Sequence, residues 1–192
     1  MAVAFRLRVE GQEAVERRLA YVLSRISDTE PLMDVIGTVL EVDAQDNFLG
    51  EHSPAGVPWK PSGRVRRTAV GKAGPQKPTG KTLQDSRRLF LSMTHASDPN
   101  HVRNVSSRSV EVGTNVVYAG RHNRGWDGTE QVSAHRRVLT QVFGIKLAEP
   151  KTVKVKEHSR KANTPKREFL GMSAHARDEI LAIADDYLGD GE

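Results

Sequence analysis

Val3, Phe5, Leu7 and Val9 alternate with Ala4, Arg6 and Arg8, a period of two that predicts an opening strand with one buried face. Gly11 breaks that pattern. From Gln12 the apolar spacing changes to Val15, Leu19, Val22, Leu23 and Ile26, one stripe of a helix. Asp28 or Thr29 can cap a second helix with Pro31 in its first turn, and Leu32, Val35, Ile36, Val39, Leu40 and Phe48 carry it to Gly50. The two helices are expected to pack as a hairpin, on each other or across a sheet. Residues 82–93 read as a short helix burying Leu83, Leu89, Phe90 and Met93. His101–Val105 and Ser109–Gly113 read as a β-hairpin around the turn-prone Ser106-Ser107-Arg108, with Val116–Ala119 continuing the sheet before an Asn123-Arg124-Gly125 turn. Val132–Leu139 and Thr152–His158 are both extended in pattern and fit an antiparallel ribbon that projects from the domain. A last helix is expected over 174–188, capped by Ser173, with Ile180, Ile183, Ala184, Tyr187 and Leu188 packed and Gly189 as its stop.

Between these elements lies a stretch, residues 51–81, rich in Pro, Gly, Lys and Arg, with only Val57, Trp59, Val65 and Val70 as apolar bulk. A loop longer than about 12–15 residues is usually functional or disordered, so its length points to a partner. Its charge sharpens the point: no acidic residue falls between Glu51 and Asp85, while Lys60, Arg64, Arg66, Arg67, Lys72, Lys77 and Lys81 do. Arg64, Arg66, Arg67, Lys72, Lys77 and Lys81 are candidates to meet a DNA path or an acidic partner, the alternative being a solvated basic loop with no dedicated partner. Over the whole chain 29 Lys and Arg face 24 Asp and Glu, a net charge of +5. Hydrophobic residues make up 37% and aromatics 5% of its 192 residues, lean for an enzyme of this size and suited to a subunit whose burial is completed by neighbours. One folding unit is expected over 1–192, with 51–81 as a basic arm and 127–164 as a β-ribbon insertion whose many cations argue against burial.

Chemistry is thinly represented. There is no cysteine, hence no disulfide framework, thiolate nucleophile or Cys-based metal site. His122, His135 and His158 do not fall at a standard ligand spacing, and His122-Asn123 alone is too little for a nuclease of the HNH type. Lys77–Thr82 echoes a phosphate-binding loop, but Pro78 interrupts it and no apolar strand precedes it. No Gly-x-Ser-x-Gly elbow or paired carboxylates appear, so no catalytic residue, cofactor or metal is expected. The N-terminus is too charged for a signal peptide, and no apolar run approaches the ~20 residues of a membrane span, so a soluble protein made in the cytoplasm is expected.

Two compact signatures remain. Val117-Tyr118-Ala119-Gly120-Arg121-His122-Asn123-Arg124-Gly125 follows Val-Glu-Val-Gly-Thr at 110–114, and Pro165-Lys166-Arg167-Glu168-Phe169-Leu170-Gly171 leads into the final helix. A Tyr-Ala-x-x-His-x-x-Gly segment followed, after a variable insertion, by Pro-x-Arg-x-Phe-Leu-Gly resembles the phage virion morphogenesis family, the tail completion proteins of Mu-like and related tailed phages. Pro54–Pro61 fits that family's Pro-x-Gly-x-x-Trp-x-Pro, while Ser86 and Arg87 stand where its Leu-x-Asp-Thr-Gly-x-Leu pattern has threonine and glycine. The resemblance implies an α+β domain, an antiparallel sheet flanked by an N-terminal helical hairpin and a C-terminal helix, with long basic loop and ribbon extensions. It also implies a structural virion protein of the neck or tail, acting by assembly into a ring, with Trp59, Tyr118, His122, Arg167, Glu168, Phe169, Leu170 and Gly171 at the assembly interface. Implied partners are further copies in a hexameric ring, other neck and tail proteins, and passing DNA without sequence preference, with no membrane. A basic DNA-binding protein of phage DNA handling is the alternative. Independently of the family, Phe169 and Leu170 can dock an otherwise charged strand, and Gly171 can let it reverse before Ser173.

Overall fold

The computed structural model describes residues 11–65, 80–142 and 145–189 in full, and the backbone alone at 66–68, 70–71 and 74–75. The strand read over residues 3–9 lies outside the described residues. Two helices follow, α1 (Gln12–Ser27) and α2 (Glu30–Gly50), then α3 (Gly63–Thr68), the short strands β1 (Val70–Gly71) and β2 (Gly74–Pro75), and α4 (Arg88–Thr94). The second half holds β3 (His101–Ser106), β4 (Ser109–Thr114), α5 (Ala119–Arg124), β5 (Trp126–Val132), β6 (His135–Val142), β7 (Ile145–Val155), β8 (His158–Thr164) and α6 (Ala174–Gly189). The architecture is α+β, with every strand in a two-stranded antiparallel ladder among the described residues.

α2 is the central strut. It buries Leu32, Val39, Ala44 and Phe48 and packs against α4, α6 and the β3–β4 hairpin. Charge fixes the hairpin on the helix: Arg103 of β3 donates to Glu41 at 2.8 Å and to Asp34 at 2.7 Å, while His101 Nε2 lies 3.1 Å from Glu41 Oε1 and its Nδ1 lies 3.1 Å from the Ser92 carbonyl. α6 runs back along α2, because Ser173 N donates to Asp43 near one end and the Tyr187 hydroxyl donates to Asp28 O at the other. Ser173 also caps α6, its Oγ accepting from Ala176 N at 3.0 Å, and Ile180, Ile183, Ala184 and Tyr187 are half-buried as the spacing predicts, while Leu188 is exposed.

Several expectations need correction. α1 packs on α6 rather than along α2: Arg18 donates to Gly189 O and Arg25 stacks over the Tyr187 ring, leaving Val15, Leu19, Leu23 and Ile26 exposed. Thr29 is the N-cap of α2, but its hydroxyl turns to the Ser107 carbonyl instead of capping. The helix read over 82–93 begins only at Arg88, because Leu83 and Arg87 have left-handed backbone, at φ 61 and 58, which interrupts a helix. Val116–Ala119 does not extend the sheet. Ala119 N bonds Val116 O in a turn that starts α5, and Val116 and Ala119 reach the core from there.

The insertion is a long ribbon. β5 pairs with β8 from Trp126↔Thr164 to Val132↔His158, and β6 pairs with β7 from His135↔Val155 to Val142↔Ile145. Leu139 faces Lys151 and Gln141 faces Lys146, so Leu147–Pro150 bulge opposite Thr140, where Pro150 has no N–H to give the ladder.

Candidate assembly site at the joined motifs

The three segments that stand out in the sequence meet at one aromatic cluster. Phe169 is 0% exposed and packs on Phe48 with ring centroids 5.0 Å apart; Phe48 in turn meets Trp59 and Phe90 edge to face at 5.6 and 5.7 Å. Ala44, Leu89, Met93, Val116 and Ala119 complete this core. Trp59 is therefore the buried anchor of the basic arm, and its Nε1 donates 3.0 Å to the Glu168 carbonyl. Gly171 touches the same loop through Pro54: a Cβ on the glycine would stand 2.8 Å from Pro54 Cγ. The chain bends at Leu170 and Gly171 as expected, but without left-handed backbone, so what the glycine supplies there is room for the close approach to Pro54.

Across the incoming strand stands α5, with Tyr118 as its N-cap. Asn123 Oδ1 accepts from Phe169 N at 2.9 Å and Leu170 N at 3.0 Å, and the His122 carbonyl accepts from Arg167 N at 2.8 Å. Gly125 closes the helix at φ 74, and a Cβ there would sit 2.9 Å from Lys166 N. Arg121 points the other way and clamps the base of the ribbon, stacking 4.2 Å over Trp126, donating to Thr164 Oγ1 at 2.9 Å and pairing with Glu130. Hydrogen bonds from Arg121 and then Arg160 hold the Glu130 carboxyl below its usual range. Asn47 and Arg121 were not singled out from the sequence, and Asn123 was read as part of a turn whereas it lies in the last turn of α5. The signal for Asn47, whose Nδ2 reaches Phe169 O, was an amide beside Phe48 on an apolar helix face, and for the other two it was their place in the same nonapeptide as His122.

Arg167 and His122 are internal. Arg167, read as an exposed contact residue, is buried, and its guanidinium donates to the carbonyls of Lys60 at 2.7 Å and Pro61 at 3.4 Å, pinning the arm to the strand before Phe169. His122 is half-buried, its Nδ1 is enclosed without a partner, and its ring meets Tyr118 edge to face. Desolvation first, then the charges of Arg167 and Arg121, push its pKa down. Glu168 pairs with Lys166 at 2.8 Å, and Leu170 is half-buried against the core.

The arm is closed at its base. Lys81 Nζ donates to Leu49 O, Gln84 Nε2 to Phe48 O and Thr82 N to Glu51 Oε1, so the returning chain satisfies carbonyls at the C-terminus of α2. Arg64 bonds Lys81 O and pairs with Asp85 at 3.2 Å, which ties two of the six candidate cations to this base. The side chains of Arg66, Arg67, Lys72 and Lys77 lie outside the described residues. Of the motif residues, Tyr118 is the aromatic left outward, at 40% exposure beside Val117 at 98%. Among the described residues no group of His, Cys, Asp and Glu is placed to hold a metal ion, and no helix is long and apolar enough to cross a membrane.

Three separated segments hold one another at this site, and Val117 and Tyr118 are what the motifs leave outward beside the projecting ribbon. No curated protein and no solved structure matches the chain. The model of the phage virion morphogenesis family matches it over residues 11–189, across all three joined segments and every helix from α1 to α6. The chain belongs to the phage virion morphogenesis family.

Proposed function

We propose that this chain is a structural subunit that completes the tail or joins head to tail, working through assembly into a closed ring around the DNA path and catalysing no reaction. The observation that carries this reading is the ribbon. A two-stranded hairpin alone in water is marginally stable at best, yet the outer part of this one exposes most of both faces over the described residues of His135–Val155, and no helix packs extensively against it among the described residues. Such an element is completed by neighbours. Tail tubes generally have six-fold symmetry, so a hexameric ring with heterologous interfaces is the expected product, in contact with other neck and tail proteins. The test is a phage lacking this chain. It should accumulate filled heads and separate tails, and joining should return when the chain is supplied in trans; normal, infectious particles without it would reject the reading.

The eight exposed cations of the ribbon and the acid-free stretch favour a second reading, a DNA-binding protein acting on its own. For a ring subunit, binding to duplex DNA should be weak, free of sequence preference and lost with added salt, as counterion release dictates. Sequence-selective binding that survives physiological salt would favour the second reading.

A further inference from the structure

The outer ribbon carries an unfavourable pair. Arg136 and Lys154 stand directly opposite each other in the β6–β7 ladder and so share a face, both are exposed, and neither has an ion pair among the described residues. Like charges across a strand pair destabilise it, and a carboxylate from outside the ribbon would reverse the sign. On the same face Val138 follows at 59% exposure, and at the far end Val142 faces Ile145, which is 73% exposed. An acidic surface with apolar relief fits this face; a phosphate backbone would satisfy the cations and leave the valine and isoleucine in water.

The same chain carries that surface elsewhere. α2 has five acidic residues and no cation, α6 has four acidic residues against Arg177, and the two helices pack side by side. Asp46, Glu179 and Asp185 are exposed and have no partner among the described residues. Val35, Val42 and Leu49 recur every seven residues on α2 and stay exposed, a stripe about 21 Å long at 1.5 Å per residue. Arg136 to Val142 spans about 20 Å of strand. The ribbon springs from α5 whereas the stripe lies on α2, so two different patches of the chain meet, and such a contact, when not returned within the same pair, is heterologous and propagates from copy to copy.

We infer that the outer ribbon of one copy lies along the α2–α6 face of a second copy, with Arg136 and Lys154 over its carboxylates and Val138 on the Val35–Val42–Leu49 stripe. This rests on the self-assembly reading above. The experiment uses the purified full chain and two variants, Arg136→Glu with Lys154→Glu, and Asp46→Lys with Glu179→Lys and Asp185→Lys, each followed by sedimentation over a range of concentrations. Wild type should associate, each variant alone should associate at least tenfold more weakly, and an equal mixture should recover, because reversed ribbons then meet reversed helices while native ribbons meet native ones. Recovery in the mixture also shows that both variants fold. If wild type associates but the variants match it, or the mixture does not recover, the ribbon–helix contact is wrong and self-assembly stands. If wild type stays monomeric throughout, both fail. Loss of duplex-DNA binding in the ribbon variant with unchanged association would assign these cations to nucleic acid and overturn the inference.

Discussion

Gly171 and Pro54 approach so closely that a single added methyl group on the glycine would overlap the proline ring, at 2.8 Å from its Cγ. This contact fastens the start of the basic arm to the segment that carries Phe169. Gly171→Ala should therefore cost about 1–3 kcal/mol, the usual range for overpacking. Gly63→Ala, where a Cβ meets nothing within 4 Å, should be neutral or slightly stabilising. Thermal unfolding of the two variants measures the difference, and equal melting temperatures would show that the contact is slack.

Arg87 occupies a backbone conformation that suits glycine, at φ 58. In the resemblance drawn from the sequence this place is a glycine, which takes such a backbone without strain. Arg87→Gly should stabilise the protein by up to about 1 kcal/mol, less whatever the stacking of the arginine over Phe90 contributes. A lower melting temperature in the glycine variant would mean that the stacking outweighs the backbone strain.

Asn123 separates the roles of its two amide atoms. Its Oδ1 receives both Phe169 N and Leu170 N, while its Nδ2 makes only a 3.5 Å contact with Leu170 O. Asn123→Asp keeps the acceptor and should cost little. Asn123→Ala leaves two backbone donors without a partner and should cost about 1–3 kcal/mol. Denaturant unfolding should rank the three as asparagine, aspartate, alanine, and an aspartate variant as weak as alanine would contradict the assignment.

His122 gives the fold an acid sensitivity. Its pKa is lowered in the folded state by burial and by Arg167 and Arg121, so the unfolded chain binds the proton more readily. The stability it contributes is present above the ordinary value of 6.5 and is lost as pH falls through the lowered folded value. The Glu130 and Asp98 carboxyls, also held low, act in the same direction only below their ordinary values of 4.5 and 3.8. Between pH 6.5 and 5 the melting temperature of the wild type should therefore fall more steeply than that of His122→Phe, which has no imidazole to protonate. Parallel profiles would remove His122 as the cause.

How far the sequence carried differs by region, for physical reasons. α2, the β3–β4 hairpin, the ribbon and α6 were legible because their apolar periods are long and their caps and turns lie in sequence. The packing of α1 was not: its stripe of Val15, Leu19, Leu23 and Ile26 predicts a buried face, whereas Arg18 and Arg25 hold it to α6 and the stripe stays exposed. Phe169 was readable as the docking residue of a charged segment, while Trp59 stood only as apolar bulk in the arm and an implied interface residue until the structure showed it buried on Phe48. Arg167 was misjudged because a charged residue in a charged strand looks like surface, and only the approach of the Lys60 and Pro61 carbonyls makes its burial favourable. The use of Gly171 was likewise set by a distant residue, Pro54, and no local pattern reports that.

Cryo-electron microscopy of intact virions at the joint between head and tail tests the ring assembly directly. A closed ring of this chain is expected around the DNA path, six copies in number, with each ribbon reaching a neighbouring copy and the Phe169–Phe48–Trp59 core intact inside every subunit. Absence of the chain from mature particles, or its presence as isolated copies with ribbons that touch no neighbour, would contradict it.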